Sequence, residues 1–333
     1  MRRSRILSGL KPAGIALASV IVLPVILPSY SLASLILIFA IAALGCNLLL
    51  GLGGLMSFGQ GIFFGFGAYG AGLLMLRLGF GLLPALVAAV LLGALVAGVV
   101  GYLAIRRRGV YFVLLTFAFA QMFAFLVYAL NDLTGGENGL RNVPRPPVGL
   151  GGLTLFGLED PLAMYALIGV AFVLTYQILH QVARSPFGST LRAIKDNEVR
   201  ARAVGYDTDR FKALAFMMSG GVTGLAGAMY ALLLRSVPDA AMQMAMSQQI
   251  LVMTIVGGTG SLYGSLLGAF GVTVLTDTIS AIWPRWQISL GLALIAIVLF
   301  LQGGLWTGVV QLGEWLSSRR TRRQRRQAER QRA

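Results

Sequence analysis

Long stretches of this chain contain no charged residue, and this property constrains the fold more than any other. Residues 12–76 lack Asp, Glu, Lys and Arg altogether. Only 12% of the chain is charged and 57% is hydrophobic, whereas a soluble globular protein carries roughly 25% charged residues. Since about 20 apolar residues in a helix cross a bilayer, the sequence predicts an all-α, polytopic helical membrane protein.

Hydropathy predicts about ten membrane spans. They are expected near residues 13–28, 32–54, 57–76, 82–105, 110–131, 161–182, 211–234, 241–259, 262–282 and 287–309. The basic start followed by the first apolar run also resembles a signal peptide. Because more spans follow at once, we expect an uncleaved first span.

The charge distribution predicts the orientation of the spans. The N-terminal segment 1–12, the loop 184–212 and the tail 313–333 are rich in Arg and Lys, whereas the loop 132–160 is slightly acidic. Because basic loops stay inside, the first three are expected in the cytoplasm and the last on the periplasmic side. Ten crossings within a transmembrane domain at 13–312 place both termini in the cytoplasm.

Two apolar segments are interrupted by glycine. The first is Asn47 to Gly72, NLLLGLGGLMSFGQGIFFGFGAYGAG, and the second contains GGTGS, Gly257 to Ser261. Paired interrupted helices in the two halves of a transporter indicate a central binding or conduction site, so the sequence predicts a path through the membrane and a possible internal repeat. The candidate path residues are Asn47, Ser57, Gln60, Thr116, Gln121, Thr259 and Ser261. For each, a satisfied helix–helix hydrogen bond is the open alternative.

Several classes of function are disfavoured by what the sequence lacks. No G-x-x-x-x-G-K-[ST] motif occurs, so any ATP hydrolysis is expected in another chain. The motif at Gly65–Gly70 matches G-x-G-x-x-G but lies in an apolar helical run, which favours helix packing. His180 is the only histidine, and no metal or catalytic cluster is expected. Spans almost free of ionisable groups argue against an ion-coupled carrier, and basic loops beside spans argue against nucleic-acid binding.

The basic loop at 184–212 carries a second predicted feature. Its sequence RSPFGSTLRAIKDNEVRARAVGYDTDRFK begins with Ser185-Pro186, which fits a helix start. Apolar residues scattered between charges predict a short amphipathic helix. Such a helix docks on a partner or on lipid, and its acidic residues favour a protein partner.

Four stretches together resemble a known family. They are NLLLGLGGLMSFGQGIFFGFGAYGA from Asn47, GVYFVLLTFAFAQ with TGGENGL between Gly109 and Leu140, SPFGSTLRAIKDNEVRARAVGYDTDRFKALAFMMSG from Ser185, and ILVMTIVGGTGSLYGSLLGA from Ile250. In order and spacing the chain resembles LivM-type permease subunits of ABC importers for branched-chain amino acids.

The resemblance implies a heteromeric importer in the bacterial inner membrane. It implies a second related permease, two ATPase subunits that use ATP and Mg, and a periplasmic substrate-binding protein, while this chain binds no cofactor itself. The related permeases for urea or short amides, and an ion-coupled amino acid carrier, are the alternatives.

In such a permease the loop 184–212 couples to an ATPase. Glu198 and Gly205 resemble the acidic residue and glycine of that loop, with a spacing of seven that is one longer than the EAA-type pattern. The predicted coupling residues are Arg192, Lys195, Glu198, Ala201, Gly205 and Lys212.

Overall fold

The structure, a computed structural model, is predominantly helical. It describes residues 14, 16–27, 29–150, 153–282, 288, 291, 292, 295 and 304–308.

The helices are numbered in chain order. They are α1 (Ala16–Ile26), α2 (Tyr30–Asn47) with a π-helical continuation (Leu48–Leu52), α3 (Gln60–Leu78), α4 (Leu82–Ala104), α5 (Val110–Ala129), α6 (Asn131–Thr134), α7 (Pro161–Arg184), α8 (Pro186–Asp196), α9 (Glu198–Ala203), α10 (Thr208–Leu234), α11 (Met244–Gly257) and α12 (Leu262–Ile282). Short 3-10 turns lie at Gly136–Asn138 and Asp239–Met242.

Within the described residues, seven helices are long and apolar enough to cross a bilayer: α2 with its continuation, α3, α4, α5, α7, α10 and α12. These confirm the predicted class of polytopic helical membrane protein. The first and eighth predicted spans hold the shorter apolar helices α1 and α11. The tenth predicted span, 287–309, lies mostly outside the described residues, so the count of ten stays a prediction, as does the internal repeat.

One hairpin departs from the all-α prediction. Strands β1 (Val148–Leu150) and β2 (Leu153–Phe156) pair antiparallel inside the loop 132–160. In the sequence, Val, Leu, Thr and Phe flank a Gly-Gly pair at 151–152. Extended-chain formers on both sides of a Gly-Gly pair favour a hairpin, and a hydropathy search for spans does not register a segment this short.

Helix α10 lies at the centre of the bundle, packed on α2, α3 and α4. Small residues allow this close packing. At Gly67, Gly93 and Gly227 an added Cβ would overlap backbone atoms of the facing helix. Gly67 belongs to the G-x-G-x-x-G stretch, which confirms that this stretch is a packing surface.

The two polar loops lie at opposite ends of the bundle. Near the end of α10, Arg145 from the loop 132–160 donates to the carbonyl oxygens of Leu232 and Leu233 at 2.9 and 2.8 Å. Near the start of α10, the loop 184–207 contacts the turn between α4 and α5. The membrane side that each loop faces stays a prediction.

Candidate functional site

The helix that starts at Tyr30 loses its regular geometry inside the first glycine-rich segment. The π-helical turn Leu48–Leu52 ends it, residues 54–59 are non-helical, and α3 begins at Gln60. Gly54 has φ of 66°, a left-handed conformation that glycine adopts without a Cβ penalty. We call residues 54–59 the first break.

A second break separates α11 from α12. Gly258 and Gly260 have φ of 115° and 90°, and α12 begins at Leu262. These backbone angles suit glycine and are strained for other residues. We call residues 258–261 the second break. It coincides with the predicted split at Gly257–Ser261.

Asn47 connects the second break to the helix that leads into the first. Its amide nitrogen donates to the carbonyl oxygen of Ser261 at 2.7 Å and to Ser265 Oγ at 3.0 Å, and its Oδ1 accepts from the Gly260 amide at 2.9 Å. A Cβ on Gly51 would lie 2.6 Å from the Gly260 nitrogen, so the two backbones touch there. We call the three hydrogen bonds the Asn47 bridge.

Gln60 is fully buried at the start of α3. Its Nε2 donates to Ser219 Oγ at 3.1 Å, and its Oε1 accepts from Thr223 Oγ1 at 2.8 Å. Ser219 in turn donates to the carbonyl oxygen of Gly45 on α2. The side chain therefore makes the helix–helix hydrogen bonds that the sequence left as the alternative to a substrate contact.

Ser57 and Thr116 are also buried, and both hold the first break. Ser57 Oγ accepts from the Gly59 amide at 3.1 Å. Thr116 Oγ1 on α5 accepts from the Phe58 amide at 3.2 Å and donates to the carbonyl oxygen of Val113. Satisfied polar groups at this position let non-helical backbone persist among apolar helices.

The remaining predicted path residues lie elsewhere. Thr259 in the second break and Gln121 on α5 are exposed, and Ser261 is half-buried. The structure thus brings Asn47 and Ser261 into contact through the Ser261 backbone. It places Gln121 on an open face of α5. The role of all seven residues in a path stays a prediction.

The loop 184–212, which is predicted to couple to an ATPase subunit, folds into two short helices. Ser185 caps α8 and Asn197 caps α9, each accepting a backbone N–H through its side-chain oxygen. Leu191 and Ile194 on α8 are buried. This amphipathic helix is the one the charge pattern predicted, and its apolar face packs on the chain's own bundle.

Glu198 ties the two-helix loop to the rest of the chain. Its Oε1 lies 2.8 Å from Lys212 Nζ, 3.3 Å from Arg202 Nη2 and 3.5 Å from Arg108 Nη2. Burial raises the pKa of the Glu198 carboxyl, but the Lys212 hydrogen bond and the three cations outweigh burial and hold that pKa below its ordinary range. The carboxylate therefore stays ionised and joins α9, α10 and the α4–α5 turn.

The other predicted coupling residues have distinct surroundings. Arg192 donates to the carbonyl oxygen of Ala183 at the end of α7 at 2.8 Å. Ala201 is buried. Gly205 follows α9 with φ of 97°, the left-handed conformation that ends many helices. Lys195 Nζ donates to the carbonyl oxygen of Gly51 at 2.9 Å.

A cavity of about 550 Å³ lies between the loop and the first break. Gly54 and Met56 from the break, Arg107 from the α4–α5 turn, and Lys195 and Glu198 from the loop are among its lining residues. The loop predicted to couple and the first break therefore share one cavity.

Sequence reasoning missed several polar residues that this site uses. Ser219 and Thr223 are one helical turn apart on α10, and Ser247 on α11 accepts from the Gly61 amide at 2.8 Å. Small hydroxyls spaced four apart beside glycines are a known signal for helix contacts in membranes. Arg108 carried no such signal, because its partner Glu198 is distant in sequence.

The fold and the site define a class: a multi-pass helical membrane protein with two glycine-rich breaks between apolar helices, linked through Asn47 and Gly51, a feature typical of transporters. The family model for the branched-chain amino acid transport system permease component matches residues 30–302. The chain belongs to this permease family.

Individual relatives agree with the family match. The chain is 27% identical over 299 residues to the high-affinity branched-chain amino acid transport system permease protein LivM of Escherichia coli, covering 82% of this chain and 69% of the relative. The Salmonella typhimurium LivM protein is equally similar, at 27% over 302 residues, with 83% and 69% covered. The autoinducer 2 import system permease protein LsrC of Photorhabdus laumondii is 29% identical over 147 residues, 42% of each chain. No solved structure matches.

Proposed function

We propose that this permease is a subunit of an ATP-driven ABC importer that moves branched-chain, hydrophobic amino acids into the cytoplasm. It lies in the bacterial inner membrane with both termini cytoplasmic. Two separate ATPase subunits use ATP and Mg, a second related permease pairs with it, and a periplasmic binding protein delivers substrate. The similarity to two LivM proteins supports the substrate class.

The observation that carries the proposal is the outer surface of the two-helix loop. The buried face of α8 packs on the bundle, yet Val199 on α9 is 71% exposed and Val204 just after it is 74% exposed. Neighbouring Tyr206 is 44% exposed. Apolar side chains on a charged loop outside the spans fit a protein partner, since burying them there removes apolar surface from water. The ATPase subunit is that partner.

A path for the substrate is best supplied by the second break. Thr259 is exposed there, and its hydroxyl can bond a charged end of a zwitterion, whereas the Gly258 and Gly260 amides already donate within the chain. Gln121 on the open face of α5 adds an amide. Asn47, Ser57, Gln60 and Thr116 shape the path by holding its helices, because their polar atoms bond within the chain.

The docking surface is tested by co-purification. Val199→Asp with Val204→Asp should abolish recovery of the ATPase subunits with a tagged permease, because two charges replace the apolar contact. Leu162→Asp is the matched control: Leu162 is 52% exposed in the first turn of α7, at the opposite end of the bundle, where an acid suits a helix start. Full ATPase recovery with the double variant contradicts the docking assignment.

The path is tested by uptake of labelled leucine. Thr259→Leu and Gln121→Leu should slow uptake at normal expression because they remove polar groups from open surfaces. Unchanged uptake with both would contradict these path residues. Saturable uptake of labelled urea without leucine uptake would favour the amide alternative.

A further inference from the structure

Lys195 makes a contact that neither docking nor a substrate path requires. It lies in the last turn of α8, yet its ammonium leaves the loop and donates to the carbonyl oxygen of Gly51 at 2.9 Å. Gly51 belongs to the π-helical turn at the end of α2. The contact joins the loop to the helix end from which the first break begins.

The chemistry of that helix end suits a cation. The last carbonyl oxygens of a helix have no partner further along the helix, and the helix dipole places partial negative charge there. A lysine ammonium satisfies the oxygen and the dipole together. Because a hydrogen bond from a charged donor is stronger than one between neutral groups, Lys195 fixes the position of this end.

The rest of α8 follows the same backbone. A Cβ on Gly53 would lie 3.6 Å from Leu191 Cγ, and a Cβ on Gly54 would lie 2.8 Å from Lys195 Cγ. Leu191 and Lys195 are four residues apart and thus share one face of α8. That face lies directly on residues 53 and 54, so movement of α8 displaces the start of the first break.

The contact continues to the second break. Gly51 touches the Gly260 backbone, and Asn47 on the preceding turn bonds the Gly260 amide and the Ser261 carbonyl. One short stretch of α2 and its continuation therefore has the loop on one side and the second break on the other. Packed elements of this kind shift between discrete arrangements rather than deforming continuously.

We infer that Lys195 is a positioning residue for transport, which transmits movement of the ATPase-bound loop through the Gly51 carbonyl to both breaks. The inference rests on the proposed function. Loss of the ammonium leaves docking intact, since the Lys195 ammonium bonds to Gly51 of the bundle, whereas Val199 and Val204 are 71% and 74% exposed. Its expected signature is ATP hydrolysis that no longer drives uptake.

The test uses the complete complex in proteoliposomes, with ATP hydrolysis and labelled-leucine uptake measured in the same vesicles. Lys195→Met keeps the length of the side chain and removes the donor, so leucine transported per ATP should fall about tenfold or more, as expected for loss of a charged hydrogen bond. Lys195→Arg retains the cationic donor and should recover most of the ratio. Arg106→Met is the matched control, because Arg106 lies on the same end of the bundle and its side chain contacts Tyr102 on α4.

The outcomes separate the inference from the proposed function. Wild-type complex without ATP-dependent uptake would overturn the proposed function. Wild-type uptake with an unchanged ratio of leucine to ATP in Lys195→Met would overturn the role of Lys195 alone. A fall in hydrolysis and uptake together, with poor ATPase recovery, would also overturn it, since Lys195 would then support assembly.

Discussion

The Asn47 bridge is the contact whose loss should be most visible, and Asn47→Leu removes it while keeping the branched shape and the number of heavy atoms of the side chain. Three hydrogen bonds disappear, to the Ser261 carbonyl, Ser265 Oγ and the Gly260 amide. Interhelical hydrogen bonds in membrane proteins contribute about 0.6 kcal/mol each on average. Their sum is therefore about 2 kcal/mol of lost stability.

The measurement is thermal unfolding of the purified permease in detergent. Asn47→Leu should lower the midpoint by a few degrees, because about 2 kcal/mol corresponds to a shift of that size in a chain this long. Asn138→Leu is the matched control, since Asn138 is exposed and, among the described residues, its side chain bonds only that of Arg141. Its midpoint should stay at the wild-type value.

The same variant should also impair transport. Once the bridge is lost, the second break is no longer held against Gly51, and leucine uptake should fall more than unfolding accounts for. Asn47→Asp retains the acceptor for Gly260 but not the two donated bonds, and buries a charge, so it should be no better than Leu. A wild-type midpoint and wild-type uptake in Asn47→Leu would show that the Asn47 bridge supports neither stability nor transport.

Two further perturbations test the packing and the loop. Gly227→Ala should destabilise the fold by about 1–3 kcal/mol, because the new methyl overlaps the carbonyl oxygen of Phe64. Thermal unfolding measures this loss, with Gly157→Ala as the control, since beyond its chain neighbours the added Cβ there meets no atom of the described residues within 4 Å. Equal midpoints for the two variants would contradict the close packing of α3 on α10. The pKa of Glu198 is held low in the folded protein. The ionised carboxylate therefore contributes its full stabilisation of the fold above the ordinary glutamate pKa, and this contribution is lost as the pH falls through the pKa of Glu198 in the folded protein. Hydrogen exchange of residues 198–212, followed from about pH 7 to about pH 3, should show this loss of protection in wild type, and lower protection with a smaller pH dependence in Glu198→Gln. Identical profiles would contradict the role of the carboxylate.

The sequence was sufficient to predict those features that depend on a local residue pattern. Uncharged apolar runs predicted the helices, and clustered glycines predicted both breaks, because hydropathy and backbone freedom act within a few residues. The prediction that Gly65–Gly70 is a packing surface followed from its apolar context and is confirmed at Gly67.

Contacts that join distant segments of the chain could not be predicted from the sequence. Nothing in the sequence pairs Asn47 with Gly260, or Lys195 with Gly51, since each contact joins residues more than a hundred positions apart. Polarity alone marked Gln60 as a path residue, but its buried partners Ser219 and Thr223 come from a helix whose register only the fold fixes.

We propose that this permease moves a branched-chain amino acid, driven by ATP that other subunits hydrolyse. The most direct measurement is uptake of labelled leucine into proteoliposomes that contain this chain, its partner permease, the two ATPase subunits and the binding protein. We expect uptake that requires ATP and Mg, stops when either ATPase subunit is omitted, and persists when ion gradients are collapsed. Uptake by this chain alone, driven by an ion gradient and indifferent to ATP, would contradict it.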